Sequence, residues 1–508
     1  MSNTSLRQSL RLNKETMVCS GLCLLDALLL CLAAMRHTFW RDETQAWLIA
    51  RDSHSLTALI HNLHYEGHPP LWHLVLYAIT RLSWNPEWMK LPNLLFAVAA
   101  TGMVLFCQRL SLFARVGIAF SYLFLFEYGV IDRNYMLGVF LLVAATLLAT
   151  GSGRSKSWAV PILLSLTAMS SLPALVLAVG VLGVYLEREL AQLRRHGQPA
   201  YHLLLRVDLL LGTLLVGVST LVAVLLIRLP ADTGFYLSVT RRATGTLAVL
   251  LRSGKILTCA YIPIPVLAHQ FWDSNIFFPL THRLYTVFEL LGWSLLAGFV
   301  LYFRIPLARW FYLIGSGTLL LQLNITRSVG IRHLGWLFVC LALALLIEYA
   351  DRNMSEIERP RWQRWMLSAV LVCQVYGGLF AVAVSLRYPF SSSRQVVAFL
   401  RSRNLDSAPL IIEPDYVGSS VIAYLQLPGA YDIEQHHVAS FILYNRDEFL
   451  NQHIPSRAEL DEASGGKGAP VLIMGTPLTL EQEDALKVHL LAFFDNAINP
   501  YDLYYVYR

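Results

Sequence analysis

Three groups of ionisable residues stand where long apolar runs give way to short connections. The first begins with Asp42 and Glu43, directly after the first apolar run, and continues to Glu66 and His68. Carboxylates and histidines of this kind can take a proton from a substrate, hold a metal ion or relay protons. Acidic groups so close to a hydrocarbon boundary are costly unless they are paired or face water. The alternative is that they only mark the start of a solvated loop.

The second group stands in a very short connection between two apolar runs. It contains Asp132 and Arg133, and Tyr135 follows at the start of the next run. Because the connection is so short, neither charge can extend far into water. An ionic pair at this depth points to a polar cavity rather than to an ordinary loop.

The third group, Arg327 with Arg332 and His333, also separates two apolar runs. Arginine binds phosphate through two parallel hydrogen bonds, so two arginines beside a histidine form a natural phosphate site. The alternative is that the arginines extend toward lipid headgroups. If all three groups lie on one face of the membrane, their convergence favours an active site.

The composition requires a membrane around most of the chain. The 508 residues are 56% hydrophobic and 15% charged, whereas soluble domains have about 25% charged residues. Runs of about fifteen to twenty or more apolar residues, enough to cross a bilayer, recur between residues 17 and 386. This pattern excludes a soluble enzyme, a disordered scaffold and a nucleic-acid-binding protein.

Charge and periodicity divide the chain into two parts. Residues 388–508 carry 8 Lys/Arg and 15 Asp/Glu, whereas residues 1–387 carry 32 and 19. In the acidic part the long runs are replaced by short strand-like and helix-like patterns. The predicted strands are 409–412, 471–474 and 503–507, and the predicted helices are 394–401, 419–425 and 480–494. We therefore predict a membrane domain over 1–387 and a water-soluble α/β domain over 388–508.

The basic connections predict how the membrane domain is threaded. Lys and Arg are concentrated at the N-terminus and in 108–115, 151–157, 187–206, 304–309 and 351–364. The positive-inside rule places all of these in the cytoplasm. They fit if the short run 69–82 does not cross and if the long run 158–186 is divided at Ser170–Pro173. About eleven transmembrane helices follow.

This threading defines what faces away from the cytoplasm. The outward segments are 36–90, 130–134, 230–284, 326–332 and the C-terminal domain. The predicted protein is a multi-pass protein of the inner (plasma) membrane, with a cytoplasmic N-terminus and a periplasmic or otherwise extracytoplasmic C-terminal domain. All three ionisable groups then lie on the outer face.

The order of the ionisable residues resembles one family. The motifs, in chain order, are Asp42-Glu43, Glu66-x-His68-Pro69-Pro70-Leu71-Trp72, Trp88-Met89-Lys90-Leu91-Pro92 and Asp132-Arg133-x-Tyr135. They resemble the polytopic GT-C glycosyltransferases, in particular the bacterial relatives of protein O-mannosyltransferases and lipid A aminoarabinose transferase. The resemblance covers roughly residues 17–350 and is strongest over 40–150.

The resemblance implies an enzyme that transfers a sugar, a hexose or a pentose, from a polyprenyl-phosphate donor to a lipid, glycan or protein acceptor. It implies that Asp42 is the general base, that Glu43 supports it, and that Asp132 with Arg133 forms a second ionic element. With one strong base candidate, we expect direct displacement with inversion.

The resemblance also assigns the substrate site. Glu66 and His68 would line the pocket for donor and acceptor, and Tyr135 would lie beside them. The residues expected to meet the lipid phosphate are Arg327, Arg332 and His333. Departures from the family pattern at Gln45, Gly67 and Lys90 leave the sugar and the acceptor open.

Two questions remain open at the level of sequence. No dedicated metal motif is present, but a cluster of Asp, Glu and His leaves a divalent metal ion open as a cofactor. The competing function is a secondary transporter or lipid flippase, for which Asp26 in the first run is the best candidate residue. Transporters place ionisable residues near the bilayer midplane, whereas here they collect at one face. A structural or ligand-sensing membrane protein is the third alternative and leaves the three groups without a purpose.

Overall fold

The computed structural model describes residues 3–151, 156–233, 245–277, 279, 282–327, 330–351, 358–433, 436–446, 453–466 and 468–508. The helices before the C-terminal part are α1 (Asn3–Arg36), α2 (Arg41–Asp52), α3 (Leu56–Asn62), α4 (Leu71–Thr80), α5 (Lys90–Leu105), α6 (Leu112–Ala119), α7 (Asn134–Ala149), α8 (Lys156–Ala168), α9 (Leu172–Arg195), α10 (Val207–Ile227), α11 (Thr246–Tyr261), α12 (His282–Tyr302), α13 (Pro306–Ile325), α14 (Ile331–Leu334), α15 (Trp336–Glu348) and α16 (Arg361–Ser385). One π-helical turn, Leu123–Glu127, lies between α6 and α7.

Among the described residues, five helices are long and apolar enough to cross a membrane by length and composition. They are Lys14–Arg36, Pro86–Leu105, Val207–Ile227, Ile331–Glu348 and Arg361–Ser385. Several turn apolar surface outward: in α10, for example, Leu214 is 61% exposed and Leu225 is 60% exposed. In water such faces would be unstable, so lipid is their solvent. The protein is a multi-pass membrane protein, and the total of eleven spans stays a prediction.

The division of the long apolar run at Ser170–Pro173 is confirmed. The helix α8 ends at Ala168, and α9 begins at Leu172 with Pro173 in its first turn. The Ser171 hydroxyl accepts a hydrogen bond from the Ala174 backbone N–H and caps α9. The run 69–82 contains only the ten-residue helix α4, which at ~1.5 Å per residue is half the thickness of the hydrocarbon core.

One helix lies where the sequence predicted a long connection. Within 230–284, α11 packs along α12 as a helical hairpin. The backbones touch at Gly254 and Gly292, where a Cβ on Gly292 would lie 1.9 Å from the Gly254 carbonyl oxygen. Arg252 and Lys255 interrupt the hydrophobic pattern of α11, so its run of apolar residues is too short to predict a span. Residues 234–244 lie outside the described part.

The C-terminal part folds around one six-stranded sheet. Its helices are α17 (Ser393–Ser402), α18 (Ser419–Leu425), α19 (Arg457–Ser464) and α20 (Leu480–Leu486), and its strands are β1 (Leu410–Glu413), β2 (Ala430–Asp432), β3 (His437–Ala439), β4 (Val471–Met474), β5 (Leu490–Phe494) and β6 (Tyr504–Tyr507). The strand order is β3-β2-β1-β4-β6-β5, and only β1 pairs in parallel, with β2 and β4. The three predicted strands are confirmed.

The predicted helix 480–494 is wrong in its second half. It ends at Leu486, because Lys487 adopts a left-handed backbone with φ 52°. The chain then continues as β5, which pairs antiparallel with β6. Thr479 opens α20 with a capping box to Gln482, as the sequence indicates.

The helix α2 is shared between the two parts of the chain. Its residues Trp47 and Leu48 are fully buried in one apolar cluster with Val396, Ile422 and Val471 of the C-terminal part. Hydrogen bonds join the same surfaces, as in the Phe39 backbone N–H donating to the Tyr424 hydroxyl at 3.0 Å. The sheet therefore positions α2 against the membrane helices.

Candidate active site

The centre of the site is the carboxylate of Asp42 in the first turn of α2. Its Oδ2 lies 2.8 Å from Arg133 Nη1 and 3.5 Å from Arg332 Nη2. The Arg41 Nε lies 3.7 Å from Oδ1. The side chain of Asp42 remains 21% exposed. The first and third ionisable groups thus meet the second at a single carboxylate that an incoming molecule can reach.

The arginines decide the charge of Asp42. Burial by itself would raise its pKa, but Arg133, Arg332 and Arg41 outweigh burial and hold the pKa below its ordinary value. The N-terminus of a helix favours an anion as well. Asp42 is therefore ionised at neutral pH and able to accept a proton.

Arg133 links Asp42 to the first outer segment. It stands immediately before α7, and its Nη2 lies 3.4 Å from His68 Nε2. Burial first, and the Arg133 charge second, lower the pKa of His68 to about 3. His68 is therefore a neutral imidazole whose Nε2 accepts the hydrogen bond from Arg133.

Arg332 is held by aromatic rings. It lies in the one-turn helix α14, and its Cζ is 5.2 Å from the centre of the Trp40 ring and 5.1 Å from that of Trp272. The carboxylate of Asp273 accepts a hydrogen bond from the Ile331 backbone N–H at 2.8 Å and fixes the start of α14. The Arg332 Nη1 atom is buried and has no hydrogen-bond partner among the described groups. A guanidinium with free donors in this position is suited to an anion.

His333 and Tyr135 close the side of the site next to Arg332. The Tyr135 hydroxyl lies 3.5 Å from His333 Nδ1, and Arg332 Nε donates to His333 Nε2 at 3.3 Å. The Tyr128 hydroxyl donates to the Arg332 carbonyl oxygen at 2.7 Å. The predicted residues Tyr135, Arg332 and His333 thus lie together.

Glu66 reaches the site through Gln45, which is one helical turn after Asp42 on α2. The Gln45 Nε2 donates to Glu66 Oε1 at 2.9 Å and to the Ile442 carbonyl oxygen at 2.8 Å. Burial raises the pKa of Glu66 to about 7. Glu66 can therefore exchange a proton near neutral pH.

Glu43 and Asp132 do not face Asp42. Glu43 is fully buried, and its two oxygens accept hydrogen bonds from the backbone N–H groups of Trp40, at 3.1 Å, and Asp132, at 2.6 Å. Both oxygens also contact His37 Nε2, at 2.8 and 3.0 Å. Burial and then the Glu43 charge raise the pKa of Asp132 well above its usual range. These two predicted catalytic residues form a second layer behind the exposed cluster.

Arg327 is the first residue of the third ionisable group. It follows the end of α13 with a left-handed backbone, φ 51°. Its charge lowers the pKa of Arg252 on α11, where the larger effect is burial. The ion pairs of Asp42 described above do not include it.

Two residues of the site, Trp272 and Gln45, were not predicted from the sequence. Trp272 stands in a segment predicted as a plain connection, so its contact with Arg332 depends wholly on the tertiary fold. Gln45 entered the sequence analysis only as a departure from a family pattern. Its spacing of three from Asp42 was a usable signal, because residues three apart share a helix face.

Comparisons with known proteins show which known fold the chain resembles. No protein-family model matches the chain, and no curated protein matches it. The crystal structure of ArnT from Cupriavidus metallidurans bound to undecaprenyl phosphate superimposes with a TM-score of 0.50 at 12% identity, and the match covers 97% of each chain. The chain has the fold of ArnT. The crystal structure of ArnT in the apo state matches with a TM-score of 0.43 at 14% identity over 98% of each chain.

A fold of this kind was predicted from the sequence motifs, and it is confirmed over nearly the whole chain. The match extends beyond the membrane helices, since it includes the C-terminal sheet. At this level of identity the likeness concerns the path of the backbone. The function of this chain must therefore be argued from its own side chains.

Proposed function

We propose that this protein is a glycosyltransferase that moves a sugar from a polyprenyl-phosphate donor to an acceptor on the non-cytoplasmic face of the inner membrane. The observation that carries the proposal is the convergence of Arg133 and Arg332 on Asp42. One carboxylate beside two guanidinium groups supplies a base and an anion site within a few ångströms.

The proposed reaction is a direct displacement. An acceptor hydroxyl attacks the anomeric carbon of the donor, Asp42 takes the hydroxyl proton, and the bond between the anomeric carbon and the phosphate oxygen breaks. The electron pair of that bond leaves with the polyprenyl phosphate. The transition state resembles an oxocarbenium ion, as in glycoside hydrolysis, and the leaving group gains negative charge. Arg332 and Arg133 stabilise that charge as it develops.

The residues fit these roles by charge and position. Asp42 is ionised, as a base must be, and Arg332 keeps an unpartnered Nη1 for a phosphate oxygen. A phosphate that attracts the arginines also draws their charge away from Asp42, which makes the carboxylate more basic when the donor is bound. The proposal is consistent with the fold of ArnT, whose crystal structure contains undecaprenyl phosphate.

The arrangement of basic residues supports the proposed face. Arg109 donates to the Thr150 hydroxyl and Arg188 to the Thr150 carbonyl oxygen, each at 2.8 Å. The connections after α5 and α7 thus come together with the C-terminal half of α9. The turn before α7 instead contacts the α8–α9 turn, through Asn134 Nδ2 donating to the Ser170 carbonyl oxygen at 2.8 Å. By the positive-inside rule, the arginine-rich end faces the cytoplasm and the Asp42 end faces outward.

The decisive experiment is donor turnover by the purified protein in detergent. A synthetic polyprenyl-phosphate sugar is incubated with protein and a lipid extract as acceptor, and released polyprenyl phosphate is measured by mass spectrometry. We expect turnover by the wild type and a loss of about 10²–10⁴-fold in Asp42→Asn. The matched control is Asp208→Asn, since Asp208 is also paired with an arginine but lies at the start of α10. Transport without bond cleavage, or equal turnover in Asp42→Asn, would contradict the proposal.

The sugar and the acceptor are identified in cells. Lipid extracts from cells with and without the gene are compared by mass spectrometry, and the mass difference gives a hexose, pentose or amino-sugar. We expect an accumulating polyprenyl-phosphate sugar in cells without the gene. The acceptor is then the lipid, glycan or protein that loses the same mass.

A further inference from the structure

Behind the exposed cluster lies a second group of metal-ligating side chains, His37, Glu43 and Asp132. One ligand atom from each, a ring nitrogen and two carboxylate oxygens, lie within 4.8 Å of one another. All three residues are buried, with 2%, 0% and 2% of their surface exposed. No step of the proposed transfer uses them.

Glu43 has one partner that carries a positive charge when protonated, His37 Nε2 at 2.8 Å, and Asp132 has no ion pair in the described residues. Two carboxylates lie side by side in a buried site, and within the described ranges neither forms an ion pair with a lysine or an arginine. Lys90 is close, but its Nζ donates to the His37 carbonyl oxygen at 2.7 Å and to Glu87 at 2.8 Å. Burying an uncompensated carboxylate is very costly. Glu43 accepts hydrogen bonds from the backbone N–H groups of Trp40 and Asp132, so Asp132 is the carboxylate that most needs to be neutralised.

One oxygen of Asp132 indicates what neutralises this carboxylate. Its Oδ2 is buried and has no hydrogen-bond partner in the described structure. Buried polar atoms almost always have a partner, so an orphan atom beside two metal-ligating groups marks the place of a ligand. Protons alone would neutralise the carboxylates, but a divalent cation would neutralise both and also satisfy Oδ2.

We propose that His37, Glu43 and Asp132 bind one divalent transition-metal ion of the zinc class. One imidazole nitrogen and two carboxylate oxygens are ordinary ligands for this ion, at about 2.0–2.2 Å. Ligands at that distance from a common tetrahedral centre are roughly 3.3 Å apart, so His37 Nε2 and the Glu43 oxygens, now 2.8 and 3.0 Å apart, would separate by a few tenths of an ångström on binding the ion. Two carboxylates and one divalent ion sum to zero charge.

The role of this ion is structural. His37 precedes α2, Glu43 lies in the first turn of α2, and Asp132 stands in the turn before α7. The ion ties these segments together, and the residue after Asp132 is Arg133, the partner of Asp42 at 2.8 Å. The metal therefore sets the position of Arg133 without touching substrate. His37, Glu43 and Asp132 are positioning residues in this scheme.

The test measures metal content and melting temperature, which do not depend on transfer activity. Full-length protein is purified without chelator, analysed by inductively coupled plasma mass spectrometry, then stripped and titrated with Zn²⁺ or Co²⁺. We expect about one zinc per chain, a rise in melting temperature on adding zinc, and the visible absorption bands of tetrahedrally bound Co²⁺. Failure of the proposed function would leave these results unchanged.

Variants separate the metal from simple protonation. Asp132→Asn keeps the shape of the side chain, so if a proton neutralises Asp132 the variant melts like the wild type and zinc affects both equally. If the metal is present, Asp132→Asn and His37→Ala lose zinc uptake and the zinc-dependent rise in melting temperature. The control His64→Ala, at an exposed histidine, should bind zinc normally. A wild type that binds neither Zn²⁺ nor Co²⁺, or equal uptake in all variants, would overturn the proposal.

Discussion

The side-chain amide of Gln45 forms two hydrogen bonds with the backbone of Ile442, which is 397 residues further along the chain. Its Nε2 donates to the carbonyl oxygen at 2.8 Å, and its Oε1 accepts from the N–H at 3.1 Å. The second hydrogen of Nε2 bonds Glu66 at 2.9 Å. One amide thus joins the C-terminal part, α2 and the pocket.

Gln45→Met should weaken both stability and activity. The variant leaves the buried N–H and C=O of Ile442 without partners, which costs about 1–3 kcal/mol. Glu66 loses its donor as well, so turnover should fall about tenfold. Melting temperature and donor turnover are the measurements, with Gln192→Met, at an exposed position on α9, as control. A variant equal to the wild type in both would show that the link is dispensable.

Substitutions at Arg332 should distinguish charge from geometry. Arg332→Lys keeps the charge but loses the forked donor, so we expect partial activity, whereas Arg332→Ala should lose about ten- to a hundredfold or more. The loss should appear more in kcat than in KM for the donor, because the phosphate gains charge as it departs. Steady-state transfer gives both constants. If Arg332→Ala is active while Arg133→Ala is dead, the phosphate site belongs to Arg133 alone.

Asp42→Asn should bind polyprenyl phosphate more tightly than the wild type does, although it is inactive. In the wild type, Asp42 competes with the phosphate for Arg133 and Arg332. Removing one charged hydrogen-bond partner, worth about 1.5–3 kcal/mol, should strengthen phosphate binding about tenfold. Binding of fluorescent polyprenyl phosphate measures the change, with Asp208→Asn unchanged as control. Equal or weaker binding in Asp42→Asn would mean that the phosphate lies elsewhere.

Stability should depend on pH through Glu66. The pKa of Glu66 is about 7 in the folded protein and about 4.3 in an unfolded chain. Between these values the folded state holds a proton that the unfolded state has lost, so the free energy of unfolding falls as pH rises. The Gln45 hydrogen bond and the Arg133 charge lower the pKa of Glu66 and only partly offset burial, whereas the Asp42 charge raises it further.

Glu66→Gln should remove this dependence. The melting temperature of the variant minus that of the wild type should increase from pH 5 to pH 7 and level off above. Glu187→Gln, at a 46% exposed side chain on α9, is the control and should show no such trend. A difference that stays constant with pH would place the titration of Glu66 in the ordinary range.

The sequence predicted the apolar elements well because their signals are local. The Ser-Ser-Leu-Pro break at 170–173 and the strands 410–413 and 471–474 follow from capping residues, proline and short β-branched runs. The helix α11 was not predicted because Arg252 and Lys255 interrupt its run of apolar residues. The strand β5 was missed because its partner, β6, is the feature that makes it a strand.

Several residues around Asp42 were predicted from the sequence, but their arrangement was not. Arg332 and Arg133 were expected near Asp42 because parity placed all three on one face. Glu43 was expected to support Asp42, but neighbouring residues on a helix point about 100° apart, so only one of them can face the opening. Glu43 is the one turned away from the opening, because its carboxylate accepts hydrogen bonds from the backbone N–H groups of Trp40 and Asp132.

The apolar cluster shared by α2 and the C-terminal sheet affects how the protein is made. A ribosome completes the helix that carries Asp42 more than 340 residues before it completes Val396, Ile422 and Val471, which cover Trp47 and Leu48. During translation the side chains of Trp47 and Leu48 therefore stay exposed until the C-terminal part is made, and the membrane surface or a chaperone must cover them. Asp42 reaches its final position only after the last strands have been made and folded, so chains truncated in the sheet should be inert even when every membrane helix is inserted.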